Sequence, residues 1–316
     1  MRKQLQTLML ACLAVLLAAC TLWAEDTPAY VRTRDVIYGR KAGLALTMDV
    51  IAPKEKPNGL GIIFIVSGGW RSHPGAIRPE MYAPFLRHGY TVFAVVHGTQ
   101  PKFTIPEIVE DVQRAVRFIR YHAKDYHIDP DHLGITGASA GGHLSLLVGM
   151  AGPAGDPKAA DPVDRVSSRV QAVACFFPPT DFLNWGQDGA VLDCQHIQDR
   201  RFKAAIDFYI FDRNEGIYQR VTDDKKVQEI LRNISPISHV SRDDPPTLII
   251  HGDKDRLVPL QQSERMIAKL KETGVPANLI VKKDCGHGWF TILRDTETLA
   301  DWFDRYLKNE PYKAAE

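Results

Sequence analysis

An α/β fold, with a mostly parallel central sheet and helices on both of its faces, is the class this 316-residue sequence predicts. Three observations carry it. Short apolar runs of strand length recur and are separated by segments with helical spacing of apolar residues, the pattern of strands buried on both faces and joined by crossover helices. A β-hairpin pattern precedes them. The residues best suited to chemistry all follow apolar runs, at the strand carboxyl ends where parallel sheets place their sites.

The hairpin reads over Val31 to Tyr38 and Leu44 to Ile51, with its turn around Gly39 to Gly43 and a stop at Pro53. Ile62 to Val66 and Tyr90 to Val96 are buried strands. Ile108, Val112, Ala115, Val116 and Ile119 recur at helical spacing, with arginines on the opposite face, so a long helix packs one side against the sheet. Further strands read over Leu133 to Thr136, Val170 to Phe177, Thr247 to Ile250 and Asn278 to Val281. Leu293 to Leu307, with Trp302, Phe303 and Tyr306, is a closing helix.

One segment breaks the alternation. Residues 181–235 are polar and aromatic, with Phe202, Ile206, Tyr209 and Ile210 at one helical spacing and Val227, Ile230 and Leu231 on a second short helix. Such an insertion forms either a small helical cap over the strand ends or a helical pair on the sheet edge. Pockets collect at strand ends, which favours the cap.

At 45% hydrophobic and 24% charged, the chain buries one large core and needs no second domain. Arg2 and Lys3 followed by the apolar run Leu8 to Ala19 have the form of a secretory leader. The organisation expected is a leader over residues 1–20, a linker over 21–30 and one domain over 31–316. Leu17-Ala18-Ala19-Cys20 resembles the bacterial lipobox, in which the cysteine is lipidated; cleavage after Ala24, giving an unlipidated exported protein, is the alternative. Either way the protein is exported, and a membrane is met only through the lipid. Without Arg2 and Lys3 the chain has 37 basic and 38 acidic residues, and no basic stripe suits a nucleic acid.

Gly137-Ala138-Ser139-Ala140-Gly141 sits between the strand ending near Thr136 and a helix-like run, His143 to Val148. A serine on so tight a strand-to-helix turn needs small neighbours and presents its Oγ at the helix N-terminus, the form of a nucleophile elbow. Asp255 follows the strand ending at Ile250, and His287 follows the strand ending at Val281. Ser139, Asp255 and His287 therefore occur in α/β-hydrolase order, which predicts a Ser-His-Asp triad. Asp253 shares the acid loop, but the spacing H-G-x-x-D-x-x-V-P favours Asp255. A serine hydroxyl needs an imidazole to take its proton, and the oxyanion formed on the attacked carbonyl needs preorganised N–H donors. Ala140 follows the nucleophile and supplies one. Gly68 and Gly69, in the loop after the strand Ile62 to Val66, bring the backbone close enough to supply the other.

In these motifs the chain resembles, from about Val31 to Leu307, the α/β-hydrolase esterases of the acetyl xylan and feruloyl carbohydrate esterase type, close to the hormone-sensitive-lipase-like enzymes. The resemblance rests on Gly68-Gly69-Trp70, on Glu110 to Arg120, on Gly137 to His143 with its Ala-Gly-Gly-His ending, on Pro245 to Asp255 and on Gly286-His287-Gly288. It departs where the family often has His-Gly-Gly-Gly-Trp and this chain has Val66-Ser67-Gly68-Gly69-Trp70. The resemblance implies a cofactor-free serine carboxylesterase acting on a small-molecule or polysaccharide ester, acetyl before feruloyl. Trp70 and the aromatic residues of the insertion are the candidates for stacking on a sugar or feruloyl ring, or for packing the cap. A serine exopeptidase of the prolyl-oligopeptidase type and a non-catalytic surface-anchored binding protein are the competing readings.

Two further expectations concern ligands of other kinds. His122, His127 and His132 match no metal-ligand spacing, so no metal is expected. Of the cysteines beyond the leader, Cys175 reads as a small buried apolar residue, and a Cys194 to Cys285 bridge over the site has no support beyond the position of Cys285 near His287.

Overall fold

The computed structural model describes residues 29–308. The leader, Cys20 and the Ala24 alternative lie outside the described residues. Eight strands form one sheet: β1 (Tyr30–Lys41), β2 (Leu44–Pro53), β3 (Gly61–Ile65), β4 (Thr91–Val95), β5 (Leu133–Ala138), β6 (Ala172–Phe176), β9 (Thr247–Gly252) and β10 (Ala277–Lys282). Their spatial order is β1-β2-β4-β3-β5-β6-β9-β10. β1 with β2 and β2 with β4 are antiparallel, and the other pairs are parallel. β1 runs on through the glycine expected to open its turn. The reversal is made by Ala42 and Gly43, both at positive φ, the geometry of a two-residue hairpin turn whose twist matches the strands.

Alternation along each strand divides the core in two. Ile63, Ile65, Phe93 and Val95 face the helices α2 (Ile105–Tyr121), α3 (Ala140–Ala151) and α5 (Gln261–Glu272). Ile62, Val92 and Ala94 face α1 (Ala83–Arg87) and α6 (Ile292–Leu307). Helices thus cover both faces, as the apolar strand runs require. α2 begins on a capping box, with Thr104 and Glu107 each satisfying the other's backbone N–H.

The strand order places the site. β3 leads out to β4 on one side, while β5, its other neighbour, leads on to β6 on the opposite side. The loops after β3 and β5 therefore diverge and leave a crevice at their carboxyl ends, the switch point where open α/β sheets bind ligands.

Residues 181–235 depart from the expected pair of helices. Only Lys203–Ile206 keeps helical form in the first half, as a single 3₁₀ turn. Tyr209 and Ile210, expected on the same helix face, lie in β7 (Tyr209–Asp212), paired antiparallel with β8 (Ile217–Arg220). Five β-favouring residues flank the turn Asp212-Arg213-Asn214-Glu215-Gly216, and that hairpin chemistry outweighs the accidental helical spacing. The second expected helix does form, as α4 (Asp224–Asn233), capped by Asp223.

Candidate active site

β5 ends at Ala138 and α3 starts at Ala140, so Ser139 makes the whole turn between them, at φ 54°. Two glycines permit it. A β-carbon on Gly137 would come within 2.6 Å of the Gly141 backbone, and one on Gly141 within 2.7 Å of the Ile65 carbonyl oxygen. The Ser139 N–H donates to the Phe176 carbonyl at 3.0 Å, fixing the elbow to β6.

The three residues of the predicted triad meet. His287 Nε2 lies 2.9 Å from Ser139 Oγ, and His287 Nδ1 lies 2.7 Å from Asp255 Oδ2. A carboxylate only accepts, so Nδ1 carries the proton and Nε2 is left to accept from the serine hydroxyl. Asp253 is exposed and takes no part. The Phe177 ring packs 4.4 Å from the imidazole, centre to centre, limiting its rotation.

Asp255 is buried, which raises its carboxyl pKa. Hydrogen bonds from His251, His287 and the Val258 N–H outweigh that and hold it well below the usual carboxylate range. Its other oxygen accepts from the Leu257 and Val258 N–H groups at 2.8 and 2.9 Å. His251, unassigned in the sequence, braces this loop from within: its Nε2–H is shared between the Val258 carbonyl at 2.9 Å and Asp255 Oδ2 at 3.3 Å, and Nδ1 accepts from Ser263 Oγ at 2.6 Å.

Gly69, Trp70 and Ala140 line the same pocket as Ser139. Ala140 is the first residue of α3, where the N–H has no carbonyl one turn back. The Gly69 N–H makes no hydrogen bond to a described residue. Gly68, expected beside it as a donor, is already engaged: its N–H donates to the Arg71 carbonyl at 3.0 Å in a tight reciprocal turn. Gln100, which no motif pointed to, holds the loop. Its side-chain amide donates to the Gly69 carbonyl at 2.9 Å and the Arg201 carbonyl at 2.6 Å, and its backbone N–H to the Trp70 carbonyl at 3.1 Å.

The pocket encloses about 430 Å³ and is walled by Trp185, Leu192, Ile197, Phe202, Leu257 and Val258. Trp185, Leu192, Ile197 and Phe202, all from the first half of the 181–235 insertion, thus line one pocket with Ser139. Trp70 is only 5% exposed and packs against Phe182 and Phe202, so of its two expected roles the structure favours packing. Trp185, half-buried and stacked on Phe182, and Phe202, also half-buried, are aromatic rings that the pocket presents. Cys175, Cys194 and Cys285 are free thiols, so the Cys194 to Cys285 bridge is not made. Among the described residues no cluster of potential metal ligands occurs and no helix is long and apolar enough to cross a membrane.

A serine elbow after the fifth strand, with an acid and a histidine on the loops after the last two, defines an α/β-hydrolase. The chain belongs to the BD-FAE family, which it matches over residues 48–270. It is 29% identical over 250 residues to "Probable carboxylic ester hydrolase LipM" of Mycobacterium tuberculosis, covering 77% of this chain and 52% of that protein. It is 25% identical over 265 residues to an acetylxylan esterase of Xylanibacter ruminicola, covering 81% of this chain and 47% of that protein. The chain thus spans about half the length of these curated relatives. Among solved structures, a truncated carbohydrate esterase from gut microbiota superposes with a TM-score of 0.71 at 26% identity, over 90% of this chain and 98% of that one.

Proposed function

We propose that this protein is a serine carboxylesterase that removes short acyl groups, acetyl foremost, from acylated carbohydrates. The observation that carries the proposal is the hydrogen-bonded series Ser139, His287, Asp255 opening into an apolar pocket beside two unengaged N–H donors. The family and the acetylxylan and carbohydrate esterases it resembles support the choice of substrate.

On this reading Ser139 Oγ attacks the ester carbonyl as His287 Nε2 takes its proton, and Asp255 stabilises the imidazolium. The oxyanion is met by the N–H groups of Ala140 and Gly69, each such donor being worth about 3 kcal/mol. Collapse expels the alcohol, protonated by His287, and leaves an acyl-Ser139. Water, deprotonated by the same imidazole, then releases the acid and restores the serine.

A 430 Å³ pocket shared between acyl group and alcohol suits small acids. Trp185 offers a face to a sugar ring or, as a secondary substrate, to a feruloyl ring. The residue 1–20 leader further suggests export, with the lipid on Cys20 as the only membrane contact.

A panel of p-nitrophenyl acetate, butyrate and decanoate, acetylated xylan, methyl ferulate and aminoacyl anilides tests this. Acetyl esters should give the highest kcat/KM, and acetate should be released from the xylan. A higher kcat/KM for decanoate with no acetate release would replace the reading by a lipase, and anilide cleavage alone would replace it by an exopeptidase.

A further inference from the structure

The Ala-Gly-Gly-His ending of the elbow leaves one residue, His143, with no part in the chemistry above. It lies on α3, one turn beyond the serine, with its N–H bonded to the Ser139 carbonyl at 2.9 Å. Its side chain is fully buried. Nδ1 is 3.1 Å from Trp70 Nε1, and Nε2 is 2.7 Å from the Ile234 carbonyl oxygen.

The partners dictate the state of the ring. An indole N–H only donates and a carbonyl only accepts, so Nδ1 must be bare and Nε2 must carry the proton. An imidazolium would set an Nδ1–H against the Trp70 N–H. Burial, opposed by the Ile234 bond, agrees with this by pulling the His143 pKa down to about 4.

This bond joins three parts of the site. Trp70 belongs to the loop that carries the Gly69 donor, His143 to the helix that follows Ser139 and begins with the Ala140 donor, and Ile234 to the end of the insertion that lines the pocket. Trp70 has φ 57° and Gly69 φ 56°, so two successive residues hold left-handed backbone, a conformation the tryptophan keeps only if its surroundings impose it. Gln100 holds the carbonyls of this turn. The indole to imidazole bond is what ties it to the nucleophile's own helix.

We infer that His143 is a positioning residue: as a neutral imidazole it locks the Gly69-Trp70 loop to α3, setting the distance between the two oxyanion donors, with its tautomer fixed by the insertion's Ile234 carbonyl. The inference rests on the esterase reading and on Gly69 as a donor. A donor pair that closes on the oxyanion acts in the transition state more than in the Michaelis complex. Loosening the lock should therefore lower kcat and leave KM nearly unchanged.

The test uses Trp70→Phe, which keeps an aromatic ring but loses the indole N–H and part of the side-chain volume, together with His143→Leu, His143→Gln and the Trp70→Phe/His143→Leu pair, all assayed on p-nitrophenyl acetate. The expected results are a kcat at least ~10-fold lower in Trp70→Phe with KM within about twofold, and a matching loss of affinity for an alkylboronate that mimics the tetrahedral state. His143→Gln, which can still accept from the indole and donate to the carbonyl, should lose several-fold less than His143→Leu. The double variant should lose less than the product of the two single losses, because both single variants remove the same indole to imidazole bond. An unchanged kcat in folded Trp70→Phe, or a loss carried by KM alone, overturns the inference. Should Trp70→Phe not fold, equal losses in His143→Gln and His143→Leu overturn it. A wild-type protein inactive on every ester would instead overturn the esterase reading beneath it.

Discussion

A β-carbon placed on Gly69 would lie 2.3 Å from the ring of Phe202, so the loop after the third strand and the insertion share one surface at the mouth of the pocket. Gly69→Ala would have to displace that ring and hold alanine at φ 56°, a backbone state that costs roughly 1 kcal/mol even without a clash. The loop should shift. We expect kcat on acetyl esters to fall at least ~10-fold, the scale of losing part of one oxyanion donor. Phe202→Ala, by making room, should restore part of the loss when combined with it, and steady-state kinetics on the single and double variants check this.

The two aspartates of one loop provide a second contrast. Asp255 Oδ2 lies 2.7 Å from His287 Nδ1, whereas Asp253 is exposed. Asp255→Asn should cost on the order of 10³-fold or more in kcat by spoiling the tautomer of His287. Asp253→Asn should cost less than about threefold. The comparison is made on one ester at one pH, with circular dichroism to confirm the fold.

Stability should depend on pH through a cluster far from the site. His88, at the end of α1, lies 2.8 Å from both Asp304 and Glu297 of α6, and its pKa is raised by the bond to Asp304 first and Glu297 second, from 6.5 to about 9. The folded value exceeds the unfolded one. The stabilisation is therefore complete below about pH 6.5 and lost as pH rises through 9. On the acid side, the bond from His88 draws Glu297 down to about 2, so its contribution is present above about pH 4.5 and lost as pH falls through 2. Melting temperatures across pH 6 to 10 should decline for the wild type and decline less for His88→Gln.

Much of this arrangement was legible because the decisive signals are local. A serine between glycines after an apolar strand has few other conformations open to it, and the loops carrying Asp255 and His287 each follow an apolar strand that the sheet must bury. Contacts between distant segments were not legible. Nothing near Gln100 shows that its amide reaches Gly69, and nothing near Gly68 shows that Arg71 takes its N–H. Trp70 beside the glycines suggested a stacking surface, but its burial depends on Phe182 and Phe202, more than a hundred residues away. Tyr209 and Ile210 misled for a different reason: four apolar residues fell at helical spacing by chance, while the hairpin turn ending at Gly216 was the stronger signal.

Export is open to a direct check. Expressed in a Gram-negative host, the protein should partition with membranes through a lipidated Cys20 and become soluble as Cys20→Ser. A mature mass beginning at Glu25 without lipid would favour cleavage after Ala24.

The central claim is that Ser139 is the nucleophile, and covalent capture tests it most directly. After incubation with a fluorophosphonate, intact-mass and peptide mass spectrometry should show one adduct per chain, on Ser139, appearing in step with loss of acetyl ester hydrolysis. Folded Ser139→Ala should take no label and retain at most ~10⁻³ of the wild-type kcat. A label on another residue, or near-wild-type hydrolysis by folded Ser139→Ala, would contradict the account.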